Sequence, residues 1–264
     1  MSEHVSIGKA GGVLTLTLNR PEKKNALTRP MYAAMGEAID AAELDADVRC
    51  ILIQSEGDTF TAGNDIADFA NVNTGGEDVE AGLKNNPLLA ALGRAKTPIV
   101  AAVQGKAVGI GVTMLLHCDL VFVAEDALLI TPFVNLALVP EAASSLLLPA
   151  RIGHVRAFSM FVLGEPVDGR TAVAWGLANA ALPAGELRNR ARAAADAIAA
   201  RAPAAVAITK ALMRDPQAIA GRMDEERDHF LSQLKSPEAK EAFLAFQQKR
   251  PPNFTVGRSP EVAE

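Results

Sequence analysis

Cysteine is scarce in this 264-residue chain: only Cys50 and Cys118 occur, each inside an apolar run. Two such thiols read as buried and free, neither spacing nor number suits a zinc site, and a disulfide-built secreted domain is excluded. Aromatic residues are few as well, at 5%, so the core has to be assembled from Ala, Val, Leu and Ile. There is no uninterrupted apolar run of about 18 residues, and the N-terminal MSEHVSIGKAGG lacks the apolar stretch of a secretory leader. The expectation is a cytoplasmic protein with no membrane partner. Excess positive charge is missing too. A net charge of −5 supplies no electrostatic reason to expect nucleic acid or an anionic membrane, although a local basic pocket remains compatible with it.

What is present is the composition of a globular enzyme, with 49% hydrophobic and 22% charged residues. Val13, Thr15 and Thr17 alternate with Leu14, Leu16 and Leu18, which predicts a strand with two different faces, ended by Pro21. Ala33, Ala34, Ile39, Ala42 and Leu44 recur at helical spacing. The runs at 48–55 and 97–105 predict buried parallel strands, and LVFVA a further one. Residues 71–86 are polar and glycine-containing, a loop candidate. The stretch from 154 predicts two helices with a turn at Gly164–Asp168, and the chain beyond about 184 is dominated by helix. No internal repeat is evident. Together these give an α/β core with a helical annex.

Two glycine-bearing turns follow predicted strands: Phe60-Thr61-Ala62-Gly63-Asn64-Asp65-Ile66 and Gly105-Lys106-Ala107-Val108-Gly109-Ile110-Gly111. The second lacks the third glycine of a dinucleotide fingerprint and the Lys-Ser/Thr of a phosphate loop. Glycine turns expose backbone N–H groups, and a helix N-terminus adds unpaired donors and partial positive charge. Two such donors can converge on one oxygen as an oxyanion hole; spacing alone leaves the convergence open. A third feature is Glu141, the one charged residue between Ala127 and Leu148. A lone carboxylate in apolar surroundings is costly unless chemistry needs it. His117 reads as a packed or hydrogen-bonding side chain, Asp119 as a tie for the helix-to-strand turn, Asp65 as a fixer of its own turn, and Trp175 as core packing.

The segments LNRPEKKNALT, FTAGNDIADF, VQGKAVGIGVTMLLHCDLVFVAEDA, FVNLALVPEAASSLLLPARIG and AVAWGLANAAL, in this order, resemble the crotonase superfamily, the enoyl-CoA hydratase/isomerase family, over residues from about 12 to 255. The resemblance implies a spiral of ββα turns over residues 1–200 carrying the active site. Residues 201–264 would form a C-terminal helical region for trimers, often paired as hexamers. It implies an acyl-CoA thioester substrate, with coenzyme A as part of the substrate and no separate cofactor or metal. The thioester carbonyl would be held by the N–H groups of Asn64 and Ile110, with Gly109 keeping the approach free of a Cβ. Substrate contacts are expected from Lys23, Lys24, Ala26, Ala62, Asn64, Asp65, Ile66, Gly109, Ile110, Phe133, Leu138 and Lys249.

Hydratases resembling this chain carry two glutamates, at positions where it has Thr113 and Phe133. Thr113 is a poor base and Phe133 none, so ordinary water addition lacks its carboxylates. In the Δ3,Δ2-enoyl-CoA isomerase branch, a segment resembling PEGCSS holds the single catalytic base. Here that segment is PEAASS, and the base is Glu141. The GND of the first turn and the TPF at 131–133 also resemble that branch. An apolar wall of Leu136, Leu138, Val139 and Phe133 is expected to raise the pKa of Glu141. The expected function is Δ3-to-Δ2 enoyl-CoA isomerisation in fatty acid oxidation. The alternatives are hydration with Glu141 as sole acid/base, another CoA-thioester reaction, or a non-catalytic CoA-binding protein.

Overall fold

The alternation at 13–18 becomes strand β2 (Val13–Leu18), but the strand lies inside a sheet and both its faces are covered. Leu16 and Leu18 are fully buried on one face, and Val13 and Thr17 are buried on the other. The alternation in the sequence therefore marks two faces of the strand without marking solvent. In this computed structural model residues 2–65 and 86–255 are described. Ile66 and the polar stretch 71–85 fall outside them, and Asn86 is the N-cap of the helix that follows.

Six strands form the main sheet, in the order β1 (Val5–Ala10), β2, β3 (Cys50–Ser55), β4 (Ile99–Val103), β6 (Leu120–Ala124) and β9 (Ala180–Leu182). From β2 onward all neighbours are parallel. Parallel strands covered on both sides need continuous apolar runs, which is why all five residues of β4 are fully buried. The antiparallel edge strand β1 escaped the sequence reading because only Val5 is buried in it. Its signal is the Gly11-Gly12 pair, both at positive φ, a two-residue hairpin turn.

A second sheet joins β5 (Lys106–Val108), β7 (Leu128–Ile130) and β8 (Val167–Asp168). The chain thus repeats one unit: a strand of the large sheet, a strand of the small sheet, then helix. The clearest copy is β4–β5–α3, where α3 (Ile110–Thr113) continues as a 3₁₀ turn (Met114–His117). In the next, β6–β7 leads to α4 (Ser144–Ile152). This repetition is the ββα spiral that the resemblance implies. The other helices are α1 (Arg29–Leu44), α2 (Pro87–Arg94), α5 (His154–Phe158, extended by a π turn to Leu163), α6 (Gly169–Trp175), α7 (Ala184–Ala199), α8 (Pro203–Leu212), α9 (Pro216–Leu234) and α10 (Pro237–Gln247).

Alanine builds the closest layer. Ala191, Ala194, Ala195 and Ala199 of α7 are buried where that helix lies along β2, β3, β4 and β6. Trp175 is only half-buried, with the Arg156 guanidinium 5.2 Å from its ring centroid. Both thiols are buried, and burial pushes each up to about 12. The C-terminal helices fold back on the core. Lys210 of α8, 4% exposed, donates to the Thr97 carbonyl at 2.9 Å and to Asp119 Oδ2 at 2.8 Å. Asp119 also accepts from the Ile99 N–H at 2.7 Å, joining the start of β4 to the start of β6. Among the described residues no helix is long and apolar enough to cross a membrane.

Candidate active site

Thr61 forms a parallel bridge with Ala107, so the chain entering the first glycine turn runs beside β5 as it enters the second. Asn64 lies three residues beyond Thr61, and Ile110 three beyond Ala107. The two turns are therefore carried to the same place by one sheet register, which spacing alone left open. Gly63, at φ +90°, permits that contact: a Cβ there would sit 2.9 Å from the Val108 carbonyl oxygen.

Hydrogen bonding occupies all but one of the described donors of the first turn and leaves the N–H groups of Ile110 and Gly111 unpaired at the start of α3. The N–H groups of Ala62, Gly63 and Asp65 donate to the Lys24 carbonyl, the Thr61 hydroxyl and the Leu27 carbonyl. The N–H of Asn64 between them has no partner among the described residues, nor has that of Ile110, at the first position of α3. A first helical position leaves its N–H unpaired by geometry. Gly109 is needed here for its backbone, at φ +55° and ψ −114°, a combination open essentially to glycine. Among the described residues, its chain neighbours aside, no atom lies within 4 Å of where its Cβ would be, so the expected close approach is a matter of the space in front of the turn.

The flanking residues hold this arrangement. Asp65 accepts from Arg20 at 2.6 Å, with both side chains largely buried, and so fixes its turn. The Tyr32 hydroxyl donates to Asn64 Oδ1. Ala26 lies in the segment beside the first turn, its carbonyl bonded to Arg20. Lys24 is exposed and pairs with Asp58 at 2.8 Å, while Lys23 is exposed in a short 3₁₀ turn.

Glu141 comes to the same place from a distant part of the chain. It lines a cleft of about 60 Å³ with Tyr32, Asn64, Asn86, Leu89 and Ala142, closed by Met223, Arg227, Phe230 and Leu231 of α9. A larger groove of about 460 Å³ between α2 and α9 shares Asn86, Leu89, Met223 and Arg227 with it. The Thr113 hydroxyl donates to Glu141 Oε1 at 2.5 Å, and Oε2 has no partner among the described residues. Thr113 thus holds the Glu141 carboxylate, a contact the sequence reading missed. Burial raises the Glu141 carboxyl to about 8; the Thr113 hydrogen bond opposes the shift and the charge of Glu226 adds to it.

The apolar surroundings differ from those expected. Leu89, Phe230 and Leu231 border the cleft. Phe133 and Leu138 are instead buried in the core, Phe133 with its ring centroid 6.1 Å from that of Phe161, and neither borders the described part of the cleft. Lys249 is exposed just after α10 and does not border it either.

Glu141 stands on a strained turn. Ala142 and Ala143, directly after it, have φ of +62° and +55°, a left-handed conformation that disfavours alanine by roughly 1–2 kcal/mol per residue. Side chains from elsewhere hold it. Arg214 donates to His117 Nδ1 at 3.0 Å, so Nε2 carries the ring proton and donates to the Ala142 carbonyl at 2.8 Å. His117 is buried, and that burial lowers its pKa to about 3, leaving a neutral strut. Sequence reasoning placed His117 among packed residues without locating its partner. Among the described residues no group of three or more His, Cys, Asp or Glu side chains could hold a metal ion.

Comparison with known proteins agrees with this geometry. The profile of the family described as Enoyl-CoA hydratase/isomerase matches residues 8–257. The chain is 32% identical to the 1,2-epoxyphenylacetyl-CoA isomerase of Escherichia coli K12, over 92% of this chain and 95% of that protein. It is 31% identical to a probable enoyl-CoA hydratase of Bacillus subtilis, with the same coverage. Among solved structures, an enoyl-CoA hydratase/isomerase from Pseudoalteromonas atlantica superposes with a TM-score of 0.89 at 39% identity, covering 96% of this chain and all of the other. With a matching profile over nearly its whole length, two turns with N–H groups unpaired among the described residues, and a carboxylate that shares a cleft with Asn64, the chain belongs to the enoyl-CoA hydratase/isomerase family.

Proposed function

We propose that the protein moves the double bond of a 3-enoyl-CoA to the 2-position, with Glu141 as the single acid/base. The observation that carries this reading is the pairing of Thr113 with Glu141. Where water-adding relatives are expected to have a glutamate, this chain has a hydroxyl, and that hydroxyl is already committed to Glu141, the one carboxylate lining the cleft among the described residues. A 1,3 proton shift needs one base and an anion hole, and no activated water.

The chemistry then follows from the chain's own groups. The thioester oxygen accepts from the N–H groups of Asn64 and Ile110. Ionised Glu141 removes a proton from C2 through Oε2, and the electron pair of the broken C2–H bond spreads over the thioester oxygen, C2 and C4 as a dienolate. The two N–H groups stabilise that charge where it develops. Glu141 returns the proton at C4 and the double bond is left between C2 and C3. A base with a pKa near 8 is strong enough to take the proton and weak enough to release it. The acyl chain would run into the groove between α2 and α9, and Lys23 and Lys24 are suited to the nucleotide end of coenzyme A. Exposed Ile208, Leu212 and Met213, with Val155, Phe158 and Leu163, suit burial in a homotrimer or hexamer.

The test is a rate comparison of wild type and Glu141→Gln on a 3-enoyl-CoA and a 2-enoyl-CoA. Isomerisation by wild type alone, with negligible hydration, is the expected result. Robust water addition to the 2-enoyl-CoA by wild type would overturn the reading in favour of a hydratase.

A further inference from the structure

Helix α4 starts badly. Its N-cap is Ala143, which has no side-chain oxygen to offer the first turn and stands in the left-handed conformation. The missing acceptor comes from another helix: Oε1 of Glu226, on α9, accepts the Ser145 N–H at 2.8 Å. We infer that Glu226 is a positioning residue for the base, a buried carboxyl that replaces the missing cap of α4 and thereby fixes the Glu141–Ala143 turn against the substrate. The inference rests on Glu141 being the base, as proposed above.

Three contacts oppose the strain of that turn. One is local, from the Ser144 N–H to the Glu141 carbonyl at 3.1 Å. The second is His117 on the Ala142 carbonyl, and the third is Glu226. The first two anchor the turn within the core, whereas Glu226 ties it to the helix that closes the cleft with Met223, Arg227, Phe230 and Leu231. Covering the substrate and aligning the base thus become one structural event.

Glu226 is also an improbable residue for a mere cap. It is 5% exposed, its Oε2 is buried without a partner among the described residues, and so are the hydroxyl oxygens of Ser144 and Ser145 beside it. Burial raises its pKa, the hydrogen bond from the Ser145 N–H opposing, and its charge in turn acts on Glu141. Other charges nearby are committed elsewhere. Arg227 pairs with Asp224, Arg94 with Asp40, and Arg151 and Arg214 with backbone carbonyls and His117. Arg222 favours the ionised form of Glu226.

The experiment measures isomerisation of a 3-enoyl-CoA by the full-length protein and its Glu226→Gln and Glu226→Ala variants, over a pH series spanning 8, with melting temperatures. The Ala variant should lose kcat by ~10²-fold, the scale of a misplaced catalytic group, with KM nearly unchanged. The Gln variant should recover most of that kcat, since its amide oxygen still accepts the Ser145 N–H. Its acid limb should move to lower pH, because a like charge beside Glu141 is gone. A folded Ala variant with wild-type kcat and pH profile would overturn the inference. Should the Ala variant fail to fold, the Gln variant decides alone: an unmoved acid limb overturns it. Glu141→Gln run alongside separates the two ideas. If that variant stays active the base assignment fails, and if it is dead while both Glu226 variants behave as wild type, only the present inference fails.

Discussion

On one wall of the proposed site the N–H groups of Asn64 and Ile110 are positioned by the backbone itself, through the Thr61–Ala107 and Leu27–Asn64 bridges and the start of α3. On the other wall Glu141 is aimed by side chains: Thr113 on its carboxylate, His117 on the next carbonyl and Glu226 on the helix beyond. The first wall tolerates changes of side chain, because a peptide N–H belongs to any residue except proline. The second depends on the identity of each contributor. The difference teaches where mutations should be felt.

The largest expected effect is on the second wall. Glu141→Gln removes the base and should lower kcat by ~10³-fold or more, near the upper end for general acid–base catalysis, as read in an isomerisation assay. The same substitution should raise the melting temperature at alkaline pH. Sign and window are set by a carboxyl whose folded pKa, about 8, lies above its ordinary 4.5. Ionisation of the unfolded chain therefore erodes stability as pH rises from 4.5 to about 8, and Gln removes that loss. An unchanged or lower melting temperature above pH 8 would show that Glu141 is solvated.

Gly109→Ala tests the first wall at a side-chain-sensitive point beside the second donor. The backbone there is open essentially to glycine, so Ile110 must shift, and kcat should fall ~10²-fold, within the range for losing one oxyanion donor. Circular dichroism checks that the fold survives. A near-normal rate would place the second donor elsewhere.

Thr113→Val sharpens the contrast further. The hydroxyl lowers the Glu141 pKa, so its loss raises that pKa and moves the acid limb of the pH–rate profile upward. At pH 7 the rate should drop ~10-fold, because a loss of roughly 1.4 kcal/mol in favour of the ionised form thins the active carboxylate tenfold. It should recover at higher pH. The smallest effect is expected for Asn64→Ala, below ~10-fold, because the donor is main-chain and only the Tyr32 contact is lost. Were Asn64→Ala as damaging as Glu141→Gln, the distinction between the walls would collapse.

The same contrast explains what could be read in advance. Parallel strands, helix periodicity, the two glycine turns and the isolated carboxylate are local patterns of apolar residues, breakers and charge. The edge strand β1 was not read because pairing, with almost no burial, defines it. Both faces of β2 are covered, which period-two alternation cannot announce. Thr113 was seen as an absent glutamate, Phe133 and Leu138 as pocket walls, and Glu226 escaped notice as one acid among several on a polar helix. Each depends on which distant element packs against it.

By itself the sequence determined the α/β class and the family, and it singled out the two glycine turns and Glu141 as candidates, since these depend on residues within a few positions of one another. Tertiary structure alone decided how Glu141 is held. Glu141 and its neighbours find their partners 28, 25 and 81 residues away, at Thr113, His117 and Glu226. Contacts of that span leave no periodicity in the chain; they exist only once the spiral brings α3 and the returning C-terminal helix to the two sides of one strained turn.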